Sequence, residues 1–183
     1  MIENLFSAPM IILYALLYGM TMKIADLLDE HGLKFFKGDA VIFGILWGVF
    51  GALLVSGNVA IANIVLAMNV AFLIRGSLDY LNHRIAASII ILSFLFFSSI
   101  NPGIFLIFLS LFVLFGVLED RTDNIPKKKR GILFYFSELL FYYPALAFAY
   151  CIAYGNWMVF FVFLSFSLSY ISAKYAFKIR QNR

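Results

Sequence analysis

The stretch Val41-Ile42-Phe43-Gly44-Ile45-Leu46-Trp47-Gly48-Val49-Phe50-Gly51-Ala52-Leu53-Leu54-Val55 contains no charged or hydrogen-bonding side chain except the Trp47 indole. A surface helix of a soluble protein keeps one polar face, and a buried strand is much shorter, so this run has apolar surroundings on every side. In hydrocarbon each backbone N–H and C=O must be satisfied within the segment. The run lacks the polar/apolar alternation of an outer-membrane strand, so it reads as a membrane-crossing helix.

Working outward from it, Ser56-Gly57-Asn58 supplies a tight uncharged turn, and comparable apolar runs recur at Ile85–Phe97, Ile104–Leu118 and Trp157–Ile171. A span needs about 20 apolar residues at a rise of about 1.5 Å each. On that ruler the chain is an all-α, polytopic integral membrane helical bundle, one domain over 1–183. Seven transmembrane helices are expected at 5–22, 40–56, 59–75, 83–99, 103–118, 131–152 and 156–174. Composition agrees: 63% of residues are hydrophobic and 13% charged, about half the charge of a soluble domain. The residues before the first apolar run include Glu3 and no Lys or Arg, and no small-x-small site follows, so the run reads as a retained span rather than a signal peptide. Cys151 is the single cysteine, which excludes an intramolecular disulfide and a cysteine metal cluster.

The connections alternate between short uncharged turns and charged segments. In the seven-helix reading all 14 Lys and Arg fall on one side, and only Glu3 lies opposite. The positive-inside rule makes that side cytoplasmic, with the N-terminus outside, the C-terminus inside and the protein in the cell membrane. The Lys127-Lys128-Lys129-Arg130 run against the sixth span suits anionic inner-leaflet lipid. Nucleic acid is not an expected partner, because the basic residues follow membrane borders.

Ionisable residues at that face define four candidate groups. Asp26, Asp29 and Glu30 lie three and four positions apart, and acids so close repel unless a cation sits between them. They read either as hard oxygen ligands for Mg²⁺ bridging to a phosphate or as the solvated face of an interfacial helix neutralised by Lys23 and Lys34. Asp120 and Asp123 repeat the D-x-x-D spacing. Two such pairs would suit a metal–diphosphate site, with Arg75, Arg121, Lys127 and Lys128 holding phosphate charge. Ser77 reads as the N-cap of a helix carrying Asp79, Asn82 and His83 in one direction, where an acid beside an imidazole makes a competent base. Glu138, about two turns inside the sixth span, is costly in a membrane and is a candidate for proton work. Pro144 is expected to kink that helix below it. Asn63 and Asn69 suit hydrogen bonds across helices. Gly44-x-x-x-Gly48, extended by Gly51, offers a flat surface for close helix approach, within the chain or in a homo-oligomer.

The pairs Asp26/Asp29 and Asp120/Asp123 resemble the aspartate-rich motifs of intramembrane UbiA-type prenyltransferases. That resemblance implies Mg²⁺ and the diphosphate of an isoprenoid donor at the cytoplasmic ends of helices. It covers only these stretches: the chain lacks the Asn that opens the family's first motif, differs in spacing after Asp29 and is much smaller. The Asp-Gly-x-x-Ala-Arg pattern of CDP-alcohol phosphotransferases is missing. The leading expectation is a small protein that binds or acts on an anionic lipid or lipid phosphate at the cytoplasmic face, with Mg²⁺-dependent prenyl- or phospho-transfer-like chemistry. The alternatives are a transporter or channel-like carrier using Glu138 with Asn63 and Asn69, and an assembly subunit packing through Gly44 and Gly48.

Overall fold

The computed structural model describes residues 5–30, 32–123, 131 and 141–181, and all regular structure among them is α-helix. Seven helices are described: α1 (Ala8–Glu30), α2 (Asp39–Gly57), α3 (Val59–Arg75), α4 (Leu81–Phe97), α5 (Pro102–Asp123), α6 (Tyr142–Tyr154) and α7 (Trp157–Gln181). Three of them, α1, α2 and α7, are long and apolar enough to cross a membrane; α3, α4 and the Pro102–Leu118 part of α5 are shorter apolar helices.

Local chemistry sets the boundaries. The Asn58 side chain accepts hydrogen bonds from Ala60 N (2.9 Å) and Ile61 N (3.2 Å), so it ends α2 and caps α3 with one residue between them. Gly76, at φ 72°, takes the left-handed position that stops α3, and Ser77 N closes back on Phe72 O at 2.9 Å. Ser77 is thereby occupied in ending α3, so α4 starts at Leu81 after an extended Tyr80, rather than from a Ser77 cap. Pro144 lies in the first turn of α6, where a missing N–H costs little, so no kink is needed within the described helix.

Two helices run further than their apolar segments. The apolar side of α1 continues through Ile24, Ala25, Leu27 and Leu28, all under 8% exposed, and this carries Asp26 and Asp29 on the last two turns of the same helix. Lys23 and Asp26 are themselves 6% and 8% exposed, so the helix is buried at these two positions, while Asp29 is partly exposed. Helix α5 likewise continues over Glu119–Asp123, which places Asp120 on a helical turn instead of in a loop.

Helix α1 packs on α7 and α2, α2 on α4 and α3, α3 on α5, and α6 on α7. Gly44, Gly48 and Gly51 lie against Asn82, Ile89 and Ile90 of α4, so the glycine surface serves a contact inside the chain. Asn63 ties α3 to the α4–α5 turn: its amide donates to Ser99 O (2.9 Å) and its side-chain oxygen accepts from Asn101 N (2.7 Å). The outward surfaces stay apolar, with Leu95, Phe96 and Phe97 of α4 more than two-thirds exposed. That is a surface suited to lipid rather than water.

Candidate functional site

The most unusual chemistry lies where α1, α4 and α7 meet. The Asp26 carboxylate is 11% exposed, and each oxygen faces a partner from a distant segment. Its Oδ1 is 3.2 Å from His83 Nε2. Its Oδ2 accepts a hydrogen bond from the Tyr170 hydroxyl at 2.9 Å and lies 3.6 Å from Lys23 Nζ. Lys23 donates to the same hydroxyl at 3.2 Å and sits 4.9 Å from the centre of the Tyr170 ring. Charges this deep cost several kcal/mol each unless paired and hydrogen-bonded, and here one carboxylate answers an ammonium, an imidazole and a phenol.

His83 is held from every side. Its Nδ1 is 3.2 Å from Ser77 O and 3.8 Å from the Asp79 carboxylate, which is largely exposed. The Trp47 and Tyr80 rings meet it edge-on, each at 5.5 Å. Asn82, its neighbour, donates to Ala25 O of α1 at 3.0 Å and accepts from His83 N at 2.7 Å, fixing the start of α4 against α1. Both imidazole nitrogens therefore face oxygen acceptors. Both donate only when the ring carries two protons, so the arrangement suits a proton donor better than a base with a free lone pair. Asp29, one turn beyond Asp26, is partly exposed and lies in the electrostatic range of His83, Asp39, Asp26 and Asp79.

A second pairing joins two other sequence groups. Arg75, at the end of α3, donates to Asp120 of α5 through Nε (3.2 Å) and Nη2 (2.6 Å). Its guanidinium lies on Gly116, where any Cβ would collide with it. Asp120 is 58% exposed, so water competes for this pair. Asp120→Asn is therefore expected to lower stability by less than about 1 kcal/mol, whereas Gly116→Val, which drives the guanidinium off its seat, should cost more. Unfolding titrations in detergent measure both.

The separated acids do not converge on each other: Asp26 meets His83, and Asp120 meets Arg75. Among the described residues no group of three or more His, Cys, Asp or Glu is arranged to hold a metal ion. Arg121 is exposed at the end of α5. The side chain of Asp123, together with Lys127, Lys128 and Glu138, lies outside the described residues. The Tyr18 hydroxyl lies beside the Trp47 and Asn69 side chains, three polar groups buried together. Asn69 also donates to Val65 O in its own helix at 2.8 Å.

Lys23 as a site member and Tyr170 altogether escape a reading of the sequence. Tyr170 has one available signal: it extends the buried stripe Val159, Phe163, Phe166 of α7 at helical spacing and ends it with a polar tip. In comparisons with protein-family models, curated proteins and solved structures, the chain matches none.

Proposed function

We propose that this chain is a seven-span membrane protein, N-terminus outside and C-terminus cytoplasmic, that binds an anionic lipid or lipid phosphate at its cytoplasmic face. In this reading His83 supplies the proton for any group-transfer step. The observation that carries it is the Asp26 cluster: Lys23, Asp26, His83 and Tyr170, drawn from three helices, are placed together at the charged end of an otherwise apolar bundle. Ionisable groups that a membrane helix keeps at such cost belong by default to a working site. Asp26 orients the imidazole, Asp79 connects it to solvent, and Arg121, exposed at the end of α5, would meet phosphate, with Arg75 joining it by giving up its pair with Asp120. Mg²⁺ belongs to this reading as a separable arm, with Asp29 as the acid to meet a phosphate-bound ion.

Two experiments test it. A reporter after Arg183 is expected to be cytoplasmic and one at Asn58 external; a cytoplasmic Asn58 breaks the topology. Native mass spectrometry of the purified protein should show phosphatidic acid retained over phosphatidylcholine, with the preference reduced in His83→Gln; equal retention of both lipids by wild type would sink the lipid reading. Repeating the binding with and without Mg²⁺ decides the metal arm.

A second reading, a proton-coupled carrier, draws on the Trp47 ring. It contacts His83 at 5.5 Å and Tyr18 at 6.4 Å, so polar groups step from the charged end toward Asn69. Glu138, outside the described residues, is the acid this reading would use for proton work. Proton flux in proteoliposomes without any lipid preference would favour it.

A further inference from the structure

We infer that the loop joining α1 to α2 is a built docking surface for anionic lipid of the leaflet at the charged end. This rests on the seven-span reading only in that it needs the loop to lie at the bilayer surface.

Lys34, Phe35, Phe36 and Lys37 are all exposed, and Phe36 is 47% exposed. Two cations thus bracket an aromatic pair. The loop is not free to fold those rings away. Left-handed glycines bound it, Gly32 at φ 67° and Gly38 at φ 86°. Leu33 N closes onto Leu27 O at 3.0 Å.

Between them the Asp39 carboxylate, on a residue 7% exposed, holds the backbone: Oδ2 accepts from Phe35 N (2.6 Å) and Phe36 N (3.2 Å), and Oδ1 from Ala40 N (2.9 Å). Phe35 is braced on Phe43 of α2 at 5.9 Å and Phe177 of α7 at 5.7 Å. Phe36 is left as the outward ring. A fixed aromatic beside two ammonium groups fits the headgroup boundary, where the ring enters the acyl edge and the lysines meet phosphate. A free phosphate in water would use the lysines and leave Phe36 without a role, so the partner is a lipid.

The test is native mass spectrometry of the full-length protein, scoring phosphatidylglycerol retained against phosphatidylcholine. Lys34→Gln/Lys37→Gln is expected to weaken phosphatidylglycerol retention about thirtyfold, the product of two surface lysines at ~1 kcal/mol each. Phe36→Ser should weaken it with all charges in place. Asp39→Asn, which loosens the backbone clamp but removes a negative charge, should also weaken retention, whereas a bulk-charge effect would strengthen it. Wild-type retention in both the lysine pair and Phe36→Ser overturns the proposal, as does an equal loss in the Lys174→Gln control, which would mean bulk charge alone. The loop variants are expected to leave the His83-dependent preference for phosphatidic acid unchanged, so failure of the loop and failure of the Asp26 site are read separately.

Discussion

Asp26→Ala is expected to destabilise the protein by about 3 to 5 kcal/mol, the largest effect of any single side-chain truncation at this end of the bundle. The carboxylate is the common partner of Lys23, His83 and Tyr170. Its removal leaves an ammonium and an imidazole buried without their counter-charge, and it strands the phenol donor. Lys23 and His83 are both no more than 6% exposed, so water cannot replace the lost oxygens without opening the packing of α1 on α7. Asp26→Asn keeps the shape and one acceptor and should cost less. Tyr170→Phe, which removes the hydrogen bond to the Asp26 carboxylate and the one accepted from Lys23, should cost about 1.5 to 3 kcal/mol. Reversible unfolding in mixed micelles orders the three variants; Asp26→Ala falling within error of wild type would mean the cluster is not formed.

Gly44→Val should be nearly as damaging, at about 3 kcal/mol, although it removes no interaction. A Cβ at position 44 would lie 2.8 Å from the Asn82 Cα and from its backbone oxygen. A flexible side chain could move aside, but backbone cannot, so α2 and α4 must separate. The start of α4 is also where Asn82 reaches Ala25 O and where His83 faces Asp26. Separation therefore loosens the site along with the packing. Gly103→Ala is the control: its Cβ would meet only the Asn101 side-chain oxygen at 3.5 Å, an ordinary contact, and should stay within about 0.5 kcal/mol of wild type. Equal tolerance at positions 44 and 103 would contradict the packing of α2 on α4.

What could be read in the sequence was local. The bounds 59–75 of α3 follow from a cap at Asn58 and a left-handed stop at Gly76, both decided within a few residues. The end of α1 was harder, because charge at Lys23–Glu30 resembles a membrane border, and only the buried periodicity of Ile24, Leu27 and Leu28 carries the helix on to Glu30. Likewise the polarity of Glu119–Asp123 suggested a loop where α5 in fact continues. Asp26, Asp79, His83 and Arg75 stood out as residue types, but their partners could not be deduced. Asp26 and Tyr170 are 144 positions apart, and no local rule links them. The repeated D-x-x-D spacing pairs the acids with one another. The packing of α1 on α7 and of α3 on α5 instead gave each acid a basic partner.

The coupling between Asp26 and His83 holds the site together, and a double-mutant cycle of Asp26→Asn and His83→Gln, scored by unfolding free energy in micelles, measures it directly. The expected coupling energy between the two positions is about 1.5 kcal/mol or more; strictly additive losses would show that the carboxylate and the imidazole do not meet.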